Sequence, residues 1–182
     1  MWTTTSGSPR TWEAAGRLRT NILGATIGQT REELAGKIRL YRDAYDHAPE
    51  QPGTPARGTV TLMAHTYVDA TDEEARRRAG GPLKAYLKSY VAQTAANKAP
   101  GGQGDGRVGA LTDGQLDTLA EFAFQRYLSW GSLLGSAETC RKSLADLADL
   151  GCDEVACFVD FGLGTEEVLA GLDRLAELRE DM

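Results

Sequence analysis

Two histidines and three cysteines are all that these 182 residues offer to imidazole and thiol chemistry. Cys140, Cys152 and Cys157 are odd in number and lack C-x-x-C spacing, so neither a disulfide frame nor a zinc site is suggested; packed thiols are the favoured reading, with no metal expected. Long apolar runs are missing too. Residues 1–20 hold Arg10, Arg17 and Arg19 but no signal-peptide apolar block, and no segment approaches the ~20 apolar residues of a membrane span. A soluble cytoplasmic protein with no membrane partner is therefore expected. Basic charge is in deficit, with 20 Lys and Arg against 26 Asp and Glu, and the longest basic run, Arg76-Arg77-Arg78, is brief. No nucleic-acid partner is expected from such a balance. No H-E-x-x-H, Walker loop, G-x-G-x-x-G or Ser/His/Asp arrangement occurs, and Gly162-Leu163-Gly164 suits a strand-to-helix turn better than a dinucleotide fingerprint.

What is present is an ordinary globular composition, 41% hydrophobic and 25% charged, in a length that suits one domain spanning residues 1–182. Trp2, Thr3, Thr4 and Thr5 read as a strand that the chain enters without a lead-in. They run into Ser6-Gly7-Ser8, and Pro9 then opens a helix with Ser8 as its candidate N-cap. Three more strand-like runs follow, residues 21–27, 59–68 and 154–161, each succeeded by a helical pattern. Four βα units of this kind make half of an eight-stranded α/β barrel, with parallel strands and flanking helices.

The helices announce themselves by their caps. Thr30-Arg31-Glu32-Glu33 is a capping box, and Leu34, Ile38, Tyr41 and Tyr45 follow on one face to about Asp46. Thr71-Asp72-Glu73-Glu74 is another, opening a helix that Gly80-Gly81-Pro82 is expected to interrupt. A glycine-rich insertion near 98–110 reads as flexible. Beyond it, residues 111–130 form a helix with Leu116, Leu119, Phe122, Ala123 and Tyr127 as its apolar face. Ser136 caps the helix that Gly151 closes, and residues 165–179 supply the last.

Read in order, WTTTSGSPRTWEAAG, NILGATIGQTREELAGKIRLYRDAYD, VTLMAHTYV, GPLKAYLKSY, EFAFQRYL, GSLLGSAETC and GCDEVACFVDFG resemble the carboxyl-terminal half of bacterial luciferase-like flavin-dependent monooxygenases. The likeness is strongest to the branch associated with natural-product biosynthesis. It runs from residue 2 to about 178. It implies a (β/α)8 TIM-type barrel, of which this chain matches strands five to eight. It also implies reduced FMN supplied by a separate reductase, O2 as co-substrate, and oxygenation of a small molecule or a carrier-bound intermediate in secondary metabolism. The flavin carries such chemistry, while the protein orients it and excludes water.

In that family the FMN phosphate sits near the turn that maps onto Thr5, Ser6, Gly7 and Ser8. Small residues there let backbone N–H groups approach an anion at the positive end of a helix, although the same residues also make an ordinary turn. Arg10 either adds charge or faces solvent. His65, the only histidine in a strand-like run, is the one weak candidate for a catalytic residue, against its reading as a core histidine satisfied by a polar neighbour. Asp160, beside the last strand, poses the same choice between ligand contact and loop support. A half barrel leaves edges and an inner layer open. Hence a partner is expected: a homodimer mate or a separate amino-terminal-half subunit, with a flavin reductase and a carrier protein or assembly-line enzyme as further partners. The alternative is a non-catalytic flavin-binding or interaction subunit.

Overall fold

A computed structural model describes residues 1–5, 7–50, 52–97 and 112–180; Ser6 and the glycine-rich stretch near 98–110 lie outside the described residues. Among the described residues five parallel strands carry the fold: β1 (Trp2–Thr4), β2 (Asn21–Ala25), β3 (Val60–Asp69), β4 (Leu133–Ser136) and β5 (Glu154–Phe158). Between them run α1 (Pro9–Arg17), α2 (Arg31–His47), α3 (Asp72–Asn97), α4 (Asp113–Ser129) and α5 (Ala137–Asp149), and α6 (Thr165–Glu180) follows β5. The expected parallel α/β sheet with flanking helices is present. Its strand count is five where the sequence shows four, because the short apolar segment Leu133–Ser136 pairs as a strand before Ser136 caps α5.

β3 is the spine of the sheet. Its first half pairs with β2 on one edge, Val60 to Met63 against Ile22 to Ala25, and with β5 on the other, Thr61 to His65 against Glu154 to Phe158. Its second half, Thr66 to Asp69, pairs with β4. Just past β2, Thr26 donates its N–H to Met63 O at 3.1 Å and its hydroxyl to Gly131 O at 2.6 Å. So β4 begins where β2 leaves the ladder. β1 completes the row on the outer side of β2.

Side chains of a strand alternate between faces, and the two faces of β3 meet different helices. Val60 and Leu62 enter a core with Trp12, Leu34, Ile38, Tyr41 and Tyr45 of α1 and α2; Ala64 and Val68 meet Cys140 of α5 and Leu178 of α6. Tyr67 on the opposite face packs among Ala75, Ala79, Leu83 and Leu87 of α3 and Phe124 and Tyr127 of α4. The carboxyl-terminal end of that second face is thus covered by an α3–α4 pair, tied together by Lys84 to Glu121 at 2.7 Å and Lys88 to Asp117 at 2.6 Å.

Both expected capping boxes cap. Thr30 and Glu33 bond each other's backbone N–H, and Thr71 accepts from Glu74 N at 3.1 Å. Three details depart from the sequence pattern. α3 runs unbroken through Gly80, Gly81 and Pro82, since Ala75, Ala79, Leu83 and Leu87 hold one buried stripe across the proline and offset its lost hydrogen bond. α1 ends at Arg17, short of the end near Thr20 that the spacing of Trp12, Ala15 and Leu18 predicts. In α4 the buried positions are Ala120, Phe124 and Tyr127, which leaves Leu119 and Phe122 exposed.

Asp69, at the end of β3, is only 3% exposed and answers to Arg78 of α3 at 3.2 Å and Arg174 of α6 at 3.4 Å. This buried carboxylate binds two helices to the end of the central strand.

Candidate functional site

At the carboxyl end of β1 the chain turns sharply into α1. Thr5 donates its N–H to Leu23 O at 3.0 Å and is nearly buried, and its hydroxyl accepts the Gly7 N–H at 3.2 Å. Gly7 has φ +120°, a conformation that L side chains rarely adopt, so the turn needs glycine. Ser8 stands at the N-cap of α1 with extended backbone, yet its hydroxyl makes no capping bond. Among the described residues, then, this side chain is not spent on closing the helix.

Two side chains from α2 and the loop before it complete the turn. A Cβ placed on Gly7 would stand 3.6 Å from Lys37 Nζ and 3.8 Å from the Gln29 amide. Gln29 is almost wholly buried; its amide donates to Ala25 O, and its carbonyl oxygen accepts from Lys37 Nζ at 2.6 Å. An ammonium is thereby fixed beside the glycine by a neutral amide and has no carboxylate partner among the described residues. The result is a cradle of a positive helix end, a glycine with room above it, a free hydroxyl and a held cation. Thr5, Gly7 and Ser8 are brought together as the sequence suggests. Lys37 and Gln29 lie more than 20 residues away in the chain, and nothing local marks them.

His65 sits elsewhere, fully buried in β3. Its ring makes edge contacts with Tyr86, Tyr127, Phe158 and Phe161, the nearest centroid being Tyr86 at 4.4 Å. The Tyr127 hydroxyl accepts the His65 backbone N–H at 3.1 Å and lies 3.0 Å from Nδ1. Burial pushes the imidazole down to about 4, so the ring is neutral near pH 7, and burial pushes the Tyr127 phenol up to about 12. Nε2 has no hydrogen-bond partner among the described residues. As placed, the residue anchors α4 to the sheet. Asp160 is exposed in the turn after β5, and Arg10 is exposed on α1, away from any ion pair among the described residues. Of the cysteines, Cys140 is buried, Cys152 half-buried and Cys157 exposed on β5, all free.

The chain belongs to the luciferase-like monooxygenase family, which it matches over residues 2–154. A comparison with curated proteins finds no match. Among solved structures it resembles the monooxygenase RslO1 from Streptomyces bottropensis, at 20% identity and a TM-score of 0.63, over 97% of this chain and 46% of that one. It also resembles the oxygenating constituent of 3,6-diketocamphane monooxygenase from Pseudomonas putida, solved with FMN, at 16% identity and a TM-score of 0.59, over 97% of this chain and 45% of that one. The coenzyme F420-dependent tetrahydromethanopterin reductase from Methanopyrus kandleri is similar at 14% identity and a TM-score of 0.58, over 97% of this chain and 50% of that one. The chain spans about half the length of these structures, the share that half of an eight-stranded barrel would occupy. At such identities the likeness concerns the fold.

Among the described residues no helix is long and apolar enough to cross a membrane, and no group of His, Cys, Asp and Glu is arranged to hold a metal.

Proposed function

We propose that this chain is a flavin-dependent luciferase-like monooxygenase, or the carboxyl-terminal portion of one, that takes the phosphate of FMN into the turn formed by Thr5, Ser6, Gly7 and Ser8. The observation that supports this best is the cradle itself: Lys37, uncompensated by any carboxylate among the described residues, is held by Gln29 against a glycine at the start of α1. Those residues fit a phosphate dianion, whose charge meets the ammonium and the helix end and whose oxygens accept from N–H and O–H donors. When bound and reduced, the flavin supplies the electrons for activating O2. The chain's own part is to hold the phosphate, fix the orientation and keep water from the reacting centre. Reduced flavin comes from a separate reductase, and the product belongs to secondary metabolism, as a small molecule or a carrier-bound intermediate.

This reading includes a partner. β5 pairs with β3 through one edge only among the described residues, and Glu154 and Cys157 are exposed on it. A homodimer mate or a separate amino-terminal-half subunit would cover that edge. The same open edge favours a second reading, in which the chain is a non-catalytic flavin-binding or interaction subunit.

Titration of the whole chain with FMN and with riboflavin, read by flavin fluorescence, tests the phosphate cradle. FMN is expected to bind at least tenfold more tightly than riboflavin, and Lys37→Met to remove about that factor while leaving riboflavin unchanged. Equal binding of the two flavins by the unaltered protein would sink the assignment.

A further inference from the structure

Beside the phosphate cradle, between the loop after β2 and the α3–α4 pair, lies a cavity of about 230 Å³. Its walls are apolar and aromatic, with Leu87, Tyr90, Phe122 and Trp130 prominent, and the buried amide of Gln29, which holds Lys37, borders it on the cradle side. Gly28 allows the close approach at its floor: it has φ +74°, and a Cβ there would stand 2.7 Å from the Tyr90 hydroxyl oxygen.

Two further observations concern α4. Leu119 is 41% and Phe122 68% exposed, so large apolar side chains stand at the cavity rim instead of in the core. Arg126, one turn beyond Phe122, also lines the cavity. The other charged side chains of α4 are engaged: Asp113 and Asp117 with Lys88, and Glu121 with Lys84 and Gln125. The Arg126 side chain has no hydrogen bond or ion pair among the described residues. An apolar pocket with one uncompensated cation at its mouth is complementary to a ligand with an apolar body and one anionic end.

We infer that this cavity is the substrate-binding site and that it takes an acyl or aryl group carrying a single anionic group, which Arg126 receives. The volume lies below the roughly 300–1,000 Å³ of drug-sized sites, which limits the apolar body to a medium-length acyl chain or one or two rings. The inference rests on the monooxygenase reading, since Gln29 borders both this cavity and the turn proposed for the flavin phosphate, which puts the cavity on the flavin's side of the sheet.

The probe is octanoate, titrated into the ¹⁵N-labelled full chain without flavin and followed by amide shifts, with octanol and octylammonium as comparisons. Octanoate is expected to shift residues 27–29 and 119–130 and to bind about tenfold more tightly than octanol, as one charge-assisted contact at a half-wet site provides. Arg126→Gln should erase that preference, and Phe122→Ser should weaken both ligands. Because Arg126 and Phe122 are exposed, both variants keep the core, which circular dichroism checks. The inference is overturned if millimolar octanoate shifts nothing, or if the shifts fall instead in the apolar groove that Leu144 and Leu147 of α5 line with Leu172 and Leu175 of α6. It also fails if octylammonium binds as well as octanoate, or if Arg126→Gln changes nothing, which would leave the arginine as a mere complement to the end of α4. Since no flavin is present, failure of FMN binding is a separate result and bears on the monooxygenase reading alone.

Discussion

Trp12→Ala will lower the stability of the fold by about 3–5 kcal/mol, the range for truncating a large buried aromatic side chain. Trp12 is fully buried, and its indole lies over β2 at Gly24, where a Cβ would come within 2.8 Å of the ring. The ring meets Tyr41 edge-on at 6.4 Å, and the Tyr41 hydroxyl donates to Thr20 O at 2.8 Å. One indole therefore fastens α1 to β2 and to α2, and Gly24 leaves no side chain able to fill the vacancy. The turn holding Thr5, Gly7 and Ser8 is fixed by α1 on one side and β2 on the other. FMN affinity should accordingly fall in the same variant even at temperatures where it remains folded. Urea unfolding monitored by circular dichroism measures the first effect and flavin titration the second. A loss below about 1 kcal/mol would mean that α1 is held by other contacts.

The second large effect is on pH. His65 is buried neutral, its value pushed down to about 4, whereas in the unfolded chain it titrates near the ordinary 6.5. As pH falls below 6.5 the unfolded chain takes up a proton that the folded one refuses, so stability is complete above 6.5 and declines toward 4. The loss due to this residue should reach about 2 kcal/mol at pH 5. His65→Gln should flatten the decline between pH 7.5 and 5, while costing some stability at neutral pH through weaker packing among Tyr86, Tyr127, Phe158 and Phe161. Unfolding free energies at several pH values in both proteins provide the check. Parallel curves would show that the imidazole is not the titrating group.

Why some of this is written openly in the sequence and some is not follows from how far apart the interacting residues lie. α2 can be read from Thr30 and Glu33 and the spacing of Leu34, Ile38, Tyr41 and Tyr45, because a cap and an amphipathic stripe are local. The turn at Thr5 to Ser8 shows itself in the same way. β4 has no such signature: four residues, Leu133 to Ser136, carry no period, and only pairing with β3 makes them a strand. The unbroken course of α3 through Pro82 depends on a buried stripe whose partners lie on α4 and β3. In α4, apolar residues occupy more of the circumference than one packing face requires, so the pattern alone does not say which of them are buried. Lys37 reads as an ordinary solvated helix charge until folding sets it against Gly7.

The pairing of β3 with β5 sets a schedule for synthesis. Thr61, whose hydroxyl donates to Glu154 at 2.7 Å, must wait for a partner 93 residues further along the chain. While the ribosome makes that stretch, the longest and most deeply buried strand among the described residues has an unfinished edge. Contacts of such long range slow folding and prolong exposure of sticky surface. Yield of soluble protein should thus depend on translation rate and chaperone supply downstream of β3 more than on any step before it.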